Sequence, residues 1–226
     1  MLYVLASFVK AHGSLCEDFE SVVAPVDGLS RARRILAEST WLVNQTAGLD
    51  AVHHLGGRLP ARSRRPVAVT VHDLQPLLRP ENFSPIKRTF LGRAIPRTAR
   101  DADLLVAPSH DVAGKLASRL GVTVGRLAVV SVGAERISDS PNRPTFPPTD
   151  LYPAATYPHK NHVVLVEAFA RIASRHPDAR LVMTGAPGRA DHEVRAAVSA
   201  AGLGDRIDLT GRFPSGELDQ LLGGAF

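Results

Sequence analysis

The sequence predicts an α/β fold, and three observations predict it. Short apolar runs recur along the chain, longer stretches with helical spacing lie between them, and the runs are continuously apolar rather than alternating. Strands of that kind belong in parallel sheets covered by helices on both faces. The first strands, at 2–6, 21–24 and 51–54, are brief apolar runs, and a helix is expected between them at about 30–47. The strand at 67–72 is a longer run that ends in a His-Asp pair and is stopped by Pro76. A helix follows at about 85–99, weakened by Pro96, then a strand at 104–107 and a helix at 110–120 for which Ser109 is the natural cap. The strand at 127–132 closes this first set. The pattern resumes with strands at 150–154, 180–184 and 206–210, each followed by a helix, at 161–175, 189–202 and 215–223.

The composition changes once, at 137–150, where four prolines among Ser, Asp and Asn residues sustain neither a helix nor a ladder. This is expected to be a linker between a first domain at 1–136 and a second at 151–226. At about 150 residues per domain, 226 residues make roughly one and a half domains, and three parallel strands form a thin sheet with an open edge. The second domain is therefore expected to be incomplete.

With 44% hydrophobic and 22% charged residues the chain can bury an ordinary core. A single cysteine, Cys16, rules out an internal disulfide, the amino terminus has no secretion pattern, and the longest apolar runs fall far short of a membrane span. A cytoplasmic protein is expected. The net charge of +5 favours anionic partners. Only 5% of residues are aromatic and no nucleic-acid motif is present, so no nucleic-acid partner is expected.

The motifs of dinucleotide-binding folds, P-loops, zincins and standard serine hydrolases are absent, and the histidines have no metal-ligand spacing. No metal is expected. Asp101 and Asp103 fall between a helix and a strand, where acidic residues form turns. Ligands bind at the carboxyl ends of parallel strands, which would carry His72 and Asp73 to a rim. The alternative is that His72 closes the strand with a hydrogen bond and Asp73 turns the chain. Lys160 and Asn161 stand between a strand with a small-residue turn and an apolar-faced helix carrying Leu165, Phe169 and Ile172. Helix N–H groups, the dipole and an ammonium there suit a phosphate or diphosphate, unless Asn161 only caps the helix and Lys160 is solvated. Gly56, Gly57, Gly185 and Gly211 break the chain at strand ends, where glycine serves a ligand's close approach or simply a turn. The stretch holding Arg93, Arg97 and Arg100 among Phe90, Leu91 and Ile95 is either an anionic-membrane surface or a solvated helix face.

The order of segments resembles the family 4 glycosyltransferases, retaining enzymes of GT-B fold, in particular mannosyltransferase-like bacterial members. The resemblance is carried by Asp50 to Gly57, Val71 to Pro76, Arg79 to Arg88, Ala102 to Ser109, Val130 to Ala134, Tyr157 to His162 and Leu209 to Leu218. It implies two Rossmann-like domains facing a cleft, with a glycan or lipid-linked acceptor on the first and a nucleotide-diphosphate sugar on the second. No cofactor or metal is implied, and peripheral membrane contact at the inner face is compatible with it. Carried over, His72 lies beside the transferred sugar with Asp73 next to it. Lys160 and Asn161 meet the donor diphosphate, and Gly185, Gly211, Arg212 and Phe213 approach the nucleoside. Gly56 and Gly57 belong to the substrate side of the first domain.

Two departures stand out. Ala155 occupies about the place of an arginine common in the family, which leaves the diphosphate to Lys160, backbone groups and in part His159. The family's pair of glutamates falls beyond residue 226, and its first strand and glycine-rich loop fall before Met1. The chain is thus expected to be a fragment of doubtful activity by itself. Two alternatives stay open: a non-catalytic glycan- or partner-binding protein on a truncated glycosyltransferase fold, and another GT-B enzyme such as a sugar-nucleotide epimerase.

Overall fold

The computed structural model describes residues 1–64, 66–133 and 148–212, together with Leu222. The chain divides into two compact units, Met1–Val132 and Gly133–Phe226. Most of the 137–150 connection, and all of the helix expected at 215–223 except Leu222, lie outside the described residues.

Unit 1 opens with β1 (Leu2–Val4), α1 (Ala6–Ala11), α2 (Gly13–Glu17) and β2 (Ser21–Val23). It continues with α3 (Arg31–Ser39), α4 (Trp41–Gln45), β3 (Val52–His54), β4 (Val67–Thr70) and α5 (Gln75–Leu78). Then come α6 (Pro85–Asp101), β5 (Leu104–Ala107), α7 (His110–Leu120) and β6 (Leu127–Val129). Strands β3, β4, β5 and β6 are neighbours in that order and all parallel. Their apolar residues Val67, Val69, Leu105 and Ala107 pack with Ile95 and Ala99 of α6 and Leu116 of α7. Continuous apolarity in these strands is what a sheet covered on both faces requires.

Several elements differ from expectation for local reasons. The strand expected at 2–6 stops at Val4 because the Leu5 carbonyl accepts from Phe8 and Val9 N–H and starts α1. The helix expected at 30–47 breaks at Thr40, which has φ −127° and donates its hydroxyl to the Leu36 carbonyl at 2.8 Å. Pro96 does not end α6; the buried Ile95, Thr98 and Ala99 hold the helix to the sheet, and the Thr98 hydroxyl donates to the Ala94 carbonyl at 2.7 Å. Pro76 stops no strand directly but sits in the first turn of α5, where its missing N–H costs nothing. Ser109 accepts from Val112 N–H and caps α7, the Asp103 carboxylate accepts from Val67 N–H, and Arg97 reaches the Leu59, Pro60 and Ala61 carbonyls. Arg97 is thus an internal clamp rather than part of a free basic face.

Strands β1 and β2 pair in parallel but form a sheet of their own. Leu2 N–H donates to Glu20 and Ala24 N–H to Val4, so Leu2 and Val4 bond to β2 and the intervening Tyr3 turns its backbone groups the other way. On β3, Val52 N–H donates to Pro66, and His53 is likewise turned outward. Both edges line one cavity of about 520 Å³, whose walls include Tyr3, Leu42, Thr46, Leu49 and His53.

Unit 2 contains β7 (Thr149–Pro153), α8 (His162–Ala173), β8 (Arg180–Thr184), α9 (Asp191–Ala200) and β9 (Ile207–Gly211). Its strands are parallel, in the order β7, β8, β9. Val166 and Phe169 of α8, Leu181 and Met183 of β8, Val194 of α9 and Ile207 of β9 form its core. Arg206 fastens the end of α8 by donating to the carbonyls of Ala173, His176 and Ala179.

Candidate functional site: two strand rims

In unit 1, His72 and Asp73 stand just past the end of β4 and are exposed. Val71 N–H still donates to the Val106 carbonyl, so the ladder carries the pair to the sheet's carboxyl edge before the chain turns away. His72 Nε2 lies 2.8 Å from the Leu55 carbonyl oxygen. Asp73 Oδ1 accepts from Gln75 N–H at 2.8 Å and closes the turn into α5. The strand-closing and turn-forming roles are both present, at the rim where a ligand would also lie.

Gly56 and Gly57 form the turn after β3 opposite His72. Gly57 has φ +78°, and a Cβ there would lie 3.9 Å from His72 Cδ2. Gly56 has nothing near its Cβ position among the described residues and lines the 520 Å³ cavity. Behind the turn, His53 Nε2 is 2.9 Å from Thr70 Oγ1 and His54 Nε2 is 2.7 Å from Ser63 Oγ. Burial, with the charges of His53 and Arg58 nearby, pushes His54 down to about 4, so it stays neutral near pH 7.

In unit 2 the carboxyl ends of β7, β8 and β9 bring three turns together. Ala154 N–H donates to Thr184, Thr156 N–H to Ala186, and Gly185 N–H to Gly211. Lys160 is exposed at the start of α8, and its carbonyl accepts from the Tyr152 hydroxyl at 2.8 Å. Asn161 does not cap α8 through its side chain; it takes the left-handed conformation at φ +52°, and its carbonyl accepts the helix's first bond from Leu165 N–H. The first N–H groups of α8 therefore have no side-chain cap from Asn161. His162, in that first turn, is buried at 2% exposure with Nε2 3.1 Å from the Ala154 carbonyl and Nδ1 without a partner among the described residues.

Gly185 has φ +144°, and a Cβ there would meet the Ala154 carbonyl oxygen at 2.4 Å. Its close approach is to the chain's own backbone. Gly211 has φ +74° with nothing near its Cβ position among the described residues, Arg212 is exposed, and Phe213 lies outside the described residues. Sequence reasoning missed Thr156, which accepts from Gly188 N–H and meets Asp191, itself bonded to Arg195 at 2.8 Å. The Arg195 hydrogen bond holds the Asp191 carboxyl below its ordinary value. Asp191 and Arg195 were legible as a helical pair one turn apart, but Thr156 is 35 residues from Asp191. Thr156, Gly185, Asp191, Arg195 and Gly211 line a recess of only about 10 Å³, no larger than a water.

The Glycosyltransferase Family 4 profile matches residues 11–135, and the profile described as Glycosyl transferases group 1 matches 134–225. None of the curated proteins compared with the chain matches it. Among solved structures, WaaG, a glycosyltransferase involved in lipopolysaccharide biosynthesis, aligns over 99% of this chain and 72% of its own, with TM-score 0.68 and 12% identity. Anabaena HepE in complex with UDP-glucose aligns over 95% of this chain and 62% of its own, with TM-score 0.63 and 19% identity. A Staphylococcus aureus TarM variant, in complex with fondaparinux, a GlcNAc-glycerol and UDP, aligns over 65% of this chain and 28% of its own, with TM-score 0.51 and 13% identity. The chain thus spans less than two thirds of the length of HepE and of TarM, and the shared architecture is GT-B, α/β with parallel sheets. With both profiles covering nearly all of it, this chain belongs to Glycosyltransferase Family 4.

Proposed function

We propose that the chain serves a retaining glycosyl transfer, in which a hexose, mannose as first candidate, passes from a nucleotide-diphosphate sugar to a hydroxyl on a glycan or lipid-linked acceptor. The observation that carries this is the start of α8. There an exposed ammonium, Lys160, and helix N–H groups without a cap from Asn161 stand at the rim shared with the Gly185 and Gly211 turns. A helix N-terminus with a lysine is a diphosphate site in physical terms. Lys160 neutralises the diphosphate, the α8 backbone binds its oxygens, and His72 with Asp73 reads the sugar. Arg212 and the Gly211 turn lie against the nucleoside. The reaction in this reading requires no metal and no resident cofactor. Peripheral membrane contact belongs to the proposal through α6, where exposed Ile86 and Phe90 stand beside Lys87 and Arg88.

Calorimetric titration with UDP tests the donor site. Lys160→Ala is expected to raise Kd several-fold to about tenfold, the weight of one charge-assisted phosphate contact. Unchanged affinity would remove Lys160 from the site. The anomeric configuration of the product, read by proton magnetic resonance with a nucleotide-sugar and acceptor, tests retention.

We further infer that the complete first domain holds one more strand between β1 and β3. Two outward-facing strand edges across one cavity leave backbone groups that a parallel strand would pair. Inserting it gives an order of β2, β1, new strand, β3 to β6, which is doubly wound only if the new strand precedes β1 in sequence. In the protein isolated from its source organism, the Tyr3 and His53 amides are expected to exchange at least tenfold more slowly than in the 226-residue chain. Equal rates would overturn the inference.

A further inference from the structure

The contact between His72 and Leu55 fixes more than a ring orientation. A backbone carbonyl oxygen can only accept, so the proton of the 2.8 Å bond is on His72 Nε2. Whenever the ring is neutral, Nδ1 then carries a lone pair and no proton. We propose that the Leu55–Gly57 turn is a positioning element that holds His72 in its Nε2–H tautomer, so that the ring offers substrate an acceptor, Nδ1, for a hydroxyl hydrogen. A neutral ring in this state repels a phosphate oxygen and accepts from a sugar hydroxyl. The inference rests on the glycosyltransferase reading only for the ligand's being a sugar.

The turn is built for such a role. It leaves β3, whose His54 and Val52 are paired in register with Val69 and Val67 of β4, the strand that delivers His72. The Leu55–His72 bond therefore ties the ends of two adjacent strands of one sheet. Side-chain bonds from His53 to Thr70 and from the buried His54 to Ser63 anchor the residues immediately before Leu55. Gly57 turns the chain at φ +78°, and its Cβ position lies at ordinary contact distance, 3.9 Å, from His72 Cδ2. Gly56 has an ordinary φ and nothing near its Cβ position among the described residues. The two glycines are thus distinguishable: only Gly57 requires the absence of a side chain for its backbone conformation.

The test is the tautomer itself, read in the free ¹⁵N-labelled protein by long-range proton–nitrogen correlation at about pH 8, above the ordinary histidine range. His72→Gln assigns the signals by their loss. The expected result is a protonated Nε2 and an unprotonated Nδ1 with about tenfold preference, the weight of one good hydrogen bond. Gly57→Ala is expected to bring that preference down several-fold while the Val69 and Leu105 amides keep their exchange rates, and Gly56→Ala to preserve it. An Nδ1–H tautomer, an even mixture in the wild type, or equal behaviour of the two glycine variants would overturn the positioning role. The wild-type spectrum decides even if Gly57→Ala does not fold. UDP-glucose, but not UDP, is expected to move the Nδ1 resonance. Absence of that response alongside an Nε2–H tautomer would keep the positioning and overturn the sugar assignment.

Discussion

Gly185→Ala is expected to cost unit 2 about 4 kcal/mol of stability with no ligand present. Two penalties act together. At φ +144° an alanine is in a region sparsely open to side chains, worth about 1–3 kcal/mol. Its Cβ would stand 2.4 Å from the Ala154 carbonyl oxygen and 2.7 Å from Ala155 N, and forced overpacking adds about 1–3 kcal/mol. The neighbour is backbone and has little room to give, because Ala154 N–H is bonded to Thr184 and the Ala154 carbonyl faces His162 Nε2. A net loss of this size is a large part of a typical domain's stability of about 5–15 kcal/mol. Native-state exchange of the Leu181 and Met183 amides, both on β8, measures it in the right unit. A loss under about 1 kcal/mol would show that the turn can part, which is what a glycine reserved for a ligand would allow.

Arg206→Ala should also weigh on unit 2, by about 3 kcal/mol. Its guanidinium donates to the Ala173, His176 and Ala179 carbonyls at 2.6–3.0 Å and lies 5.7 Å from the Phe169 ring centre. Ala173 and Ala179 are buried at 5% and 6% exposure, so carbonyls left there have poor access to water. Each unpaired group costs about 1–3 kcal/mol, and part of the cation–π contact is lost as well. Arg206→Lys should recover little, because one ammonium cannot match a planar fork that spans three acceptors. Chemical unfolding followed on β8 amides reads both variants. Equal stability of Arg206→Ala and the native chain would mean that water satisfies the end of α8 instead.

Much of this protein was legible in its sequence because the signals are local. Continuous apolar runs gave β4, β5 and β8 nearly to the residue, and Ser109 announced the start of α7 through a bond that spans three residues. Lys160 before an apolar-faced helix likewise pointed to the start of α8. The family segments lie in this same class, since they are short strings at strand ends.

Other features depended on partners distant in sequence, and no period or propensity records those. That α6 continues through Pro96 is decided by burial of Ile95, Thr98 and Ala99 against the sheet, which outweighs a locally unfavourable residue. That Arg97 clamps the loop at Leu59 to Ala61 removes it from the basic surface its neighbours imply. Gly185 and Gly57 look alike in the sequence, yet one is required by the Ala154 backbone and the other by a turn over His72. The sequence by itself determined the order of strands and helices and placed their ends to within a few residues, because apolar runs and helix caps are signals between neighbours along the chain. Only the tertiary structure decided what those residues touch, because the carboxyl edge of a parallel sheet assembles turns separated by whole crossovers.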